Sequence, residues 1–263
     1  MSTLPELRSV RLAGVDIHAL DQQRVIDYLI GSLAAGRGGW LVNPNIDVLR
    51  QIERDPQVRD LVARATLVVS YGAPVEWAAR LAGTPLPPRV PGSSLIWALS
   101  AAAAAHGRGI FLLGGAPGIA ERAGQALAAA APGLTVAGSH CPPLGFEHDA
   151  GQQEAIRQAL TAANPDIVFC GLGFPKQERL MDALAGAFPR TWFIGSGASL
   201  TFAAGEVARA PRWMQRVGIE WVFRLVSEPR RLARRYLVDD LPYAVRLLSR
   251  SVVQRRARRG AGA

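Results

Sequence analysis

Residues 109–131 read GIFLLGGAPGIAERAGQALAAAA: a short apolar run, a Gly-Gly-Ala-Pro-Gly turn, then a stretch of helical composition. The apolar run at 110–113 is too short for a helix, and the segment after the turn is long enough for one. The same order recurs at 40–42 before Asn-Pro-Asn, at 67–69 before Ser-Tyr-Gly-Ala-Pro, at 167–170 before Gly-Leu-Gly-Phe-Pro, and at 192–194 before Gly-Ser-Gly-Ala-Ser. Residues 134–137 supply a further strand, and RLAGVDIHAL at 11–20 reads as a small hairpin turning at Ala13-Gly14. Strands that alternate with helices imply parallel pairing through right-handed crossovers, hence a doubly wound α/β fold.

Outward from that core, the chain divides by composition. The Pro-rich stretch TPLPPRVPG (84–92) suppresses helix and ladder bonding, and separates an N-terminal α/β lobe (1–83) from a second one (84–205). After about residue 205 the strand–turn–helix rhythm stops, and an Arg-rich helical appendage (206–263) follows. Trp213, Val217, Trp221 and Leu225 stand there at i, i+4 spacing, Pro229 and Pro242 are expected to break the helix, and QRRARRGAGA (254–263) reads as a disordered tail. Residues 209–263 hold fourteen arginines against Glu220, Glu228, Asp239 and Asp240, a net of +10 in a chain whose total is +9. The basic character therefore belongs to the appendage alone, and such a surface suits phosphates, whether in nucleic acid, an anionic membrane face or a phosphorylated substrate.

With 263 residues, 49 % of them hydrophobic and 19 % charged, the chain can bury a sizeable core and is not disordered. No apolar run reaches the ~18 residues that span a bilayer. The opening MSTLPELRSV lacks the basic-then-apolar layout of a secretory signal. Cys141 and Cys170 are the only cysteines, so no disulfide framework forms and a reducing, cytoplasmic setting is expected.

In an open α/β sheet, ligands bind beyond the carboxyl ends of strands, where turns expose backbone N–H groups. The turns found above bring Asn43, Asn45, Tyr71, Gly114, Gly115, Gly173, Lys176, Gln177 and Gly195 toward one rim. Any one glycine is explained by a tight turn; together the turns favour a phosphate-bearing ligand. GLGFPKQE lacks the spacing and the Lys-Ser/Thr pair of a P-loop, and GGAPG is not the full dinucleotide fingerprint. His18, His106, His140 and His148 lack paired ligand spacing, there is no Asp-x-Asp, and Gly195-Ser196-Gly197 is not a nucleophile elbow. No metal and no other cofactor is expected, so fixed cations or backbone dipoles must stabilise any leaving group.

NPNID (43–47), YGAPVEWAARLAG (71–83), PPRVPG (87–92), FLLGGAPG (111–118), GLGFPKQE (171–178), RAPRWMQRVGIEWVFRL (209–225) and EPRRLARRYL (228–237) together resemble, in this order, the WecG/TagA/CpsF glycosyltransferases, glycosyltransferase family 26. The resemblance covers about residues 10–245. It implies a Rossmann-like fold whose C-terminal appendage meets the membrane and completes the active site. The implied reaction is inverting and metal-independent, moving a sugar from a UDP-sugar to a polyprenyl-diphosphate-linked acceptor at the cytoplasmic membrane face, in wall or surface polysaccharide synthesis. Site residues carry over by motif. Asn45 and Gln177 join the catalytic set with Tyr71 and Asp47, while Asn43, Arg89, Gly114, Gly115, Gly173, Lys176, Glu178 and Gly195 form the donor-binding set. Arg224, Arg231 and Arg234 match arginines that hold the acceptor diphosphate, a role suited to guanidinium forks.

Two positions depart from the family pattern. Tyr71 stands where the family carries the Asp proposed as general base, and Asn43 where it carries Thr. An inverting transfer needs an acceptor for the hydroxyl proton. Tyrosine, with a reference pKa near ~10, is ionised in only about one molecule in a thousand at pH 7, and about 4 kcal/mol would bring it there. Three readings stand: Asp47 serves as base; Tyr71 positions the sugar while leaving-group stabilisation dominates; or the protein binds nucleotide-sugar or lipid diphosphate without turnover. A nucleic-acid partner is not expected, because the arginines lack interleaved aromatic platforms. Self-association, covering a membrane-completed site in solution, is a further expectation without a motif of its own.

Overall fold

The computed structural model describes residues 7–260, with side chains through residue 256. The opening residues 1–6, on which the leader reading partly rests, and residues 261–263 lie outside the described part. β1 (Ser9–Leu12) and β2 (Val15–His18) form the antiparallel hairpin, with Ala13 (φ 50°) and Gly14 (φ 81°) both left-handed at its turn. Such a turn matches the twist of paired strands.

The body then runs α1 (Gln22–Ala34), β3 (Gly39–Val42), α2 (Ile46–Arg54), α3 (Pro56–Ala63), β4 (Leu67–Val68), α4 (Ala73–Leu81) and, past the Pro-rich segment, α5 (Gly92–Ala105). It continues through β5 (Gly109–Gly114), α6 (Ile119–Ala130), β6 (Thr135–His140), α7 (Ala150–Ala163), β7 (Ile167–Gly171), α8 (Lys176–Ala185), β8 (Trp192–Gly195) and α9 (Ser199–Ala203). All five strand pairs of the main sheet are parallel, in the order β4-β3-β8-β7-β5-β6, so strands from either side of the Pro-rich segment share one sheet.

Neighbouring strand residues divide between two cores. Trp40, Val42, Phe111, Leu113, Val168 and Phe193 pack on one face, and Leu41, Ile110, Leu112, Ile167, Phe169 and Trp192 on the other. A strand buried on both faces reads as a continuous apolar run, which is why the strands stand out in the sequence. The fold is thus the doubly wound, Rossmann-like α/β expected.

The appendage comprises α10 (Arg212–Val217), α11 (Glu220–Ser227), α12 (Pro229–Ala233), a π-helical segment Arg234–Asp240 and α13 (Leu241–Gly260). Three expectations are corrected here. The Trp213–Leu225 stripe is not one helix, because Gly218 turns left-handed (φ 82°) between α10 and α11. Pro242 does not break the chain: the preceding segment widens to i→i+5 bonding, as in Leu241 N–H to Tyr236 C=O, and leads straight into α13. The tail is not disordered at 254–260, since α13 runs through Gly260.

Candidate functional site

Parallel pairing sends every strand's carboxyl end to one edge of the sheet, and the appendage closes over the part of that edge beyond β3 and β4. Two adjoining cavities lie at the contact, with Arg89, Pro91 and Glu220 lining both. The first, of about 370 Å³, is lined by Arg89, Arg209, Arg212 and Arg216, with Glu76 on its wall. The second, of about 260 Å³, is lined by the polar Asn45, Asp47, Tyr71, Arg224, Arg235 and Asp240 and by the apolar Trp77, Trp221, Leu241 and Leu248. Gly218 makes the close approach: a Cβ built there would stand 2.3 Å from Ala73 Cβ. Gly218→Ala is therefore expected to cost about 1–3 kcal/mol through overpacking and to speed tryptic cleavage at the appendage arginines. Cleavage at the wild-type rate would show that this contact does not hold the appendage down.

Each expected site residue has a definite place. Asn45 caps α2, its Oδ1 accepting from Val48 N–H at 3.0 Å. Asp47, one residue into that helix, is engaged by Arg50 and by Gln51 Nε2 at 3.2 Å. Arg50 also reaches Asp240 Oδ1 at 3.2 Å, so one guanidinium bridges the body and the appendage. Asp240 is buried; burial and the nearby Asp47 push its pKa up to about 6 against the pull of Arg50. Arg89 pairs with Glu76 Oε2 at 2.9 Å and donates to the Gln215 carbonyl, tying the Pro-rich segment to α10. Burial raises the pKa of the Tyr71 hydroxyl, and Glu220 adds to the rise despite Arg224 and Arg209, so Tyr71 stays a neutral phenol at pH 7.

The Pro-Lys-Gln-Glu motif turns largely inward. Gln177 is buried, its Oε1 accepts from Leu172 and Gly173 N–H at 3.4 and 3.3 Å, and its Nε2 donates to Glu178 Oε1 at 2.7 Å. This pair abuts the end of β8, where a Cβ on Gly195 would meet Gln177 Nε2 at 3.0 Å. Lys176 instead faces Glu147 at 3.7 Å and the Phe146 ring at 5.7 Å. A Cβ on Gly114 would strike the Gly171 carbonyl at 2.7 Å, one on Gly115 would strike Ile119, and Gly173 is left-handed at φ 87°. Asn43 Nδ2 lies 3.2 Å from the Cβ position of Gly92, at the start of α5. These residues share the sheet's carboxyl edge but line neither cavity. Of the three appendage arginines, Arg224 lines the second cavity, Arg231 pairs outward with Glu228, and Arg234 is exposed.

Sequence reasoning did not single out Arg209, Arg212, Arg216, Glu220, Arg235 and Asp240, which line the cavities. Most of them lie inside the quoted RAPRWMQRVGIEWVFRL and EPRRLARRYL blocks, where their charge entered only as part of a basic surface suited to phosphates. Among the described residues, no group of three or more His, Cys, Asp or Glu side chains could hold a metal ion.

The family model described as "Glycosyl transferase WecG/TagA/CpsF family" matches residues 10–257. Two curated relatives, from Bacillus spizizenii strain W23 and Bacillus subtilis strain 168, are each named N-acetylglucosaminyldiphosphoundecaprenol N-acetyl-beta-D-mannosaminyltransferase. The chain is 27 % identical to the first over 81 % of its length and 80 % of the relative's. To the second it is 29 % identical, over 81 % of its own length and 78 % of the relative's.

Proposed function

Because the chain belongs to the WecG/TagA/CpsF family of glycosyltransferases, we propose that it moves a sugar from a UDP-sugar to a polyprenyl-diphosphate-linked acceptor, with inversion and without a metal ion. The relatives' names point to an N-acetylglucosaminyl-diphosphate-polyprenol as that acceptor and to N-acetylmannosamine as one donor sugar to test, beside glucose and glucuronic acid. The observation that carries the reading is the pair of adjoining cavities: an arginine-lined chamber suits the donor's diphosphate, and the neighbouring one, lined in part by apolar side chains, suits a lipid-linked acceptor. Arg89, Arg209, Arg212 and Arg216 bind the donor diphosphate oxygens and offset charge on the leaving group, and Arg224, in the second chamber, binds the acceptor diphosphate. Tyr71, held neutral, donates a hydrogen bond to the sugar. Gln177 and Glu178 hold the loop after β7, and the glycine turns leave room for the nucleotide.

Among the described residues, nine of the eleven exposed large hydrophobic side chains belong to the appendage, which also carries the excess of arginine. That pairing supports peripheral docking on an anionic membrane at the inner face. Among the described residues, no helix is long and apolar enough to cross a membrane. A second reading, binding without turnover, is favoured by the neutral Tyr71 at the position where the family carries Asp.

Transfer from a panel of UDP-sugars to short-chain polyprenyl-diphosphate N-acetylglucosamine, with EDTA present, separates the two for wild type beside Tyr71→Asp. Product from wild type is the expected result. Bound UDP without product, and turnover gained only in the variant, would make the protein a binder.

A further inference from the structure

Transfer to a hydroxyl leaves a proton to be placed, and four carboxylates line the two cavities. Two are committed elsewhere, and a third is enclosed. Glu76 spends both oxygens on Arg89, one on the backbone N–H and one on the guanidinium. Asp47 spends both on Arg50 and Gln51. Asp240 gives one oxygen to Arg50 and leaves Oδ2 without a partner among the described residues, but it is only 4 % exposed and lines the second cavity alone.

Glu220 differs on each count. It opens α11, borders both cavities, and keeps 21 % of its side chain exposed. Its one ion pair is loose, Oε1 lying 3.7 Å from Arg209 Nε, and among the described residues its carboxylate accepts no hydrogen bond. From the appendage it faces Tyr71 closely enough to act on that hydroxyl electrostatically. The charges around it are Arg209, Arg212 and Arg216 on its own side and Arg89 and Glu76 from the body, with Arg224 one turn along α11. A sugar joining a diphosphate in the arginine chamber to an acceptor in the second chamber passes this residue.

We infer that Glu220 is the proton acceptor of the transfer, supplied by the appendage at the place where Tyr71 cannot serve. This rests on the transferase reading above. The acceptor oxygen bonds to the anomeric carbon, and the bond from that carbon to the diphosphate oxygen breaks with its electron pair going to the diphosphate. The hydroxyl proton passes to Glu220, which becomes a neutral acid and later releases the proton to water. A general base of this kind contributes about 10²–10⁴-fold to rate.

The test measures kcat and donor KM for wild type, Glu220→Gln and Asp240→Asn, and kcat for Glu220→Ala with and without formate. Glu220→Gln is expected to lose about 10²–10⁴-fold in kcat with little change in donor KM, a loss well beyond that of Asp240→Asn. Formate, a small external base, restores part of the Glu220→Ala rate, which a merely structural role for Glu220 does not allow. The inference is overturned if Glu220→Gln keeps the wild-type rate, if Asp240→Asn loses as much, or if formate restores nothing. Wild type without any transfer overturns the transferase reading itself, a result distinct from all of these.

Discussion

Serine at Trp213, Val217, Val226 and Val238 together is expected to release the protein from vesicles that contain anionic phospholipid. All four side chains are more than half exposed and none lines either cavity, so their removal leaves the site and the core intact. Full burial of such a side chain is worth about 1.5–3 kcal/mol. Half of that per residue, as in an interface, amounts for the set to about 3–6 kcal/mol, or roughly 10²–10⁴-fold in partitioning. The arginines add an attraction that salt screens, of about 1 kcal/mol for each one that reaches the surface. Vesicle sedimentation at low and high salt separates the contributions: the variant keeps a weak, salt-sensitive association, while wild type on neutral vesicles keeps only the apolar part. Transfer to a water-soluble short-chain acceptor continues at about the wild-type rate. If the variant sediments like wild type, the exposed apolar residues are not a docking surface.

What could be read from the chain follows from where each side chain spends its interactions. The strands were legible because both of their faces are buried: Ile110 through Leu113 is apolar without a break, as a two-sided core requires. The hairpin at Ala13-Gly14 was legible because its turn depends on two neighbouring residues. Gln177 was placed at the ligand rim by its strand-end turn and in the catalytic set by its motif. An amide can bond inward or outward, and the motif does not say that this one turns back to the Leu172 and Gly173 N–H groups and to Glu178, against Gly195 at the end of another strand. The same holds for Gly218, which reads as an ordinary position in an i, i+4 stripe until Ala73 is found against it. Pro242 was expected to end a helix because the rule assumes i→i+4 bonding, and the π-helical segment before it evades that assumption. Arg209 and Glu220 look like the rest of a charged surface, and it is the fold of α10 and α11 back over Tyr71 that makes them part of a cavity.

Glu178→Gln is expected to stabilise the protein at pH 8 and to flatten the dependence of its stability on pH. The carboxyl of Glu178 is 2 % exposed, and its Oε2 has no partner among the described residues. Burial pushes its pKa from 4.5 up to about 7, although Gln177 Nε2 and its own backbone N–H favour the charged form. Between those two values the native state holds a proton that the unfolded chain has released. Stability is therefore greatest below pH 4.5 and falls as pH rises through about 7. The full shift corresponds to about 3 kcal/mol at pH 8, or a melting temperature lower by roughly 6–12 °C for a chain of this size. Glutamine keeps Oε1 as the acceptor for Gln177 and removes the buried charge, so the variant recovers most of that loss at pH 8 and matches wild type near pH 4.5. Equal melting temperatures at pH 8 would mean that Glu178 is not ionised at a cost in the native state. The transfer rate then says why such a costly charge sits at the strand ends. A bond to a carboxylate is stronger than one to an amide, so a variant that is more stable yet slower would show that the charge holds Gln177, and through it the loop after β7, in the position that transfer requires.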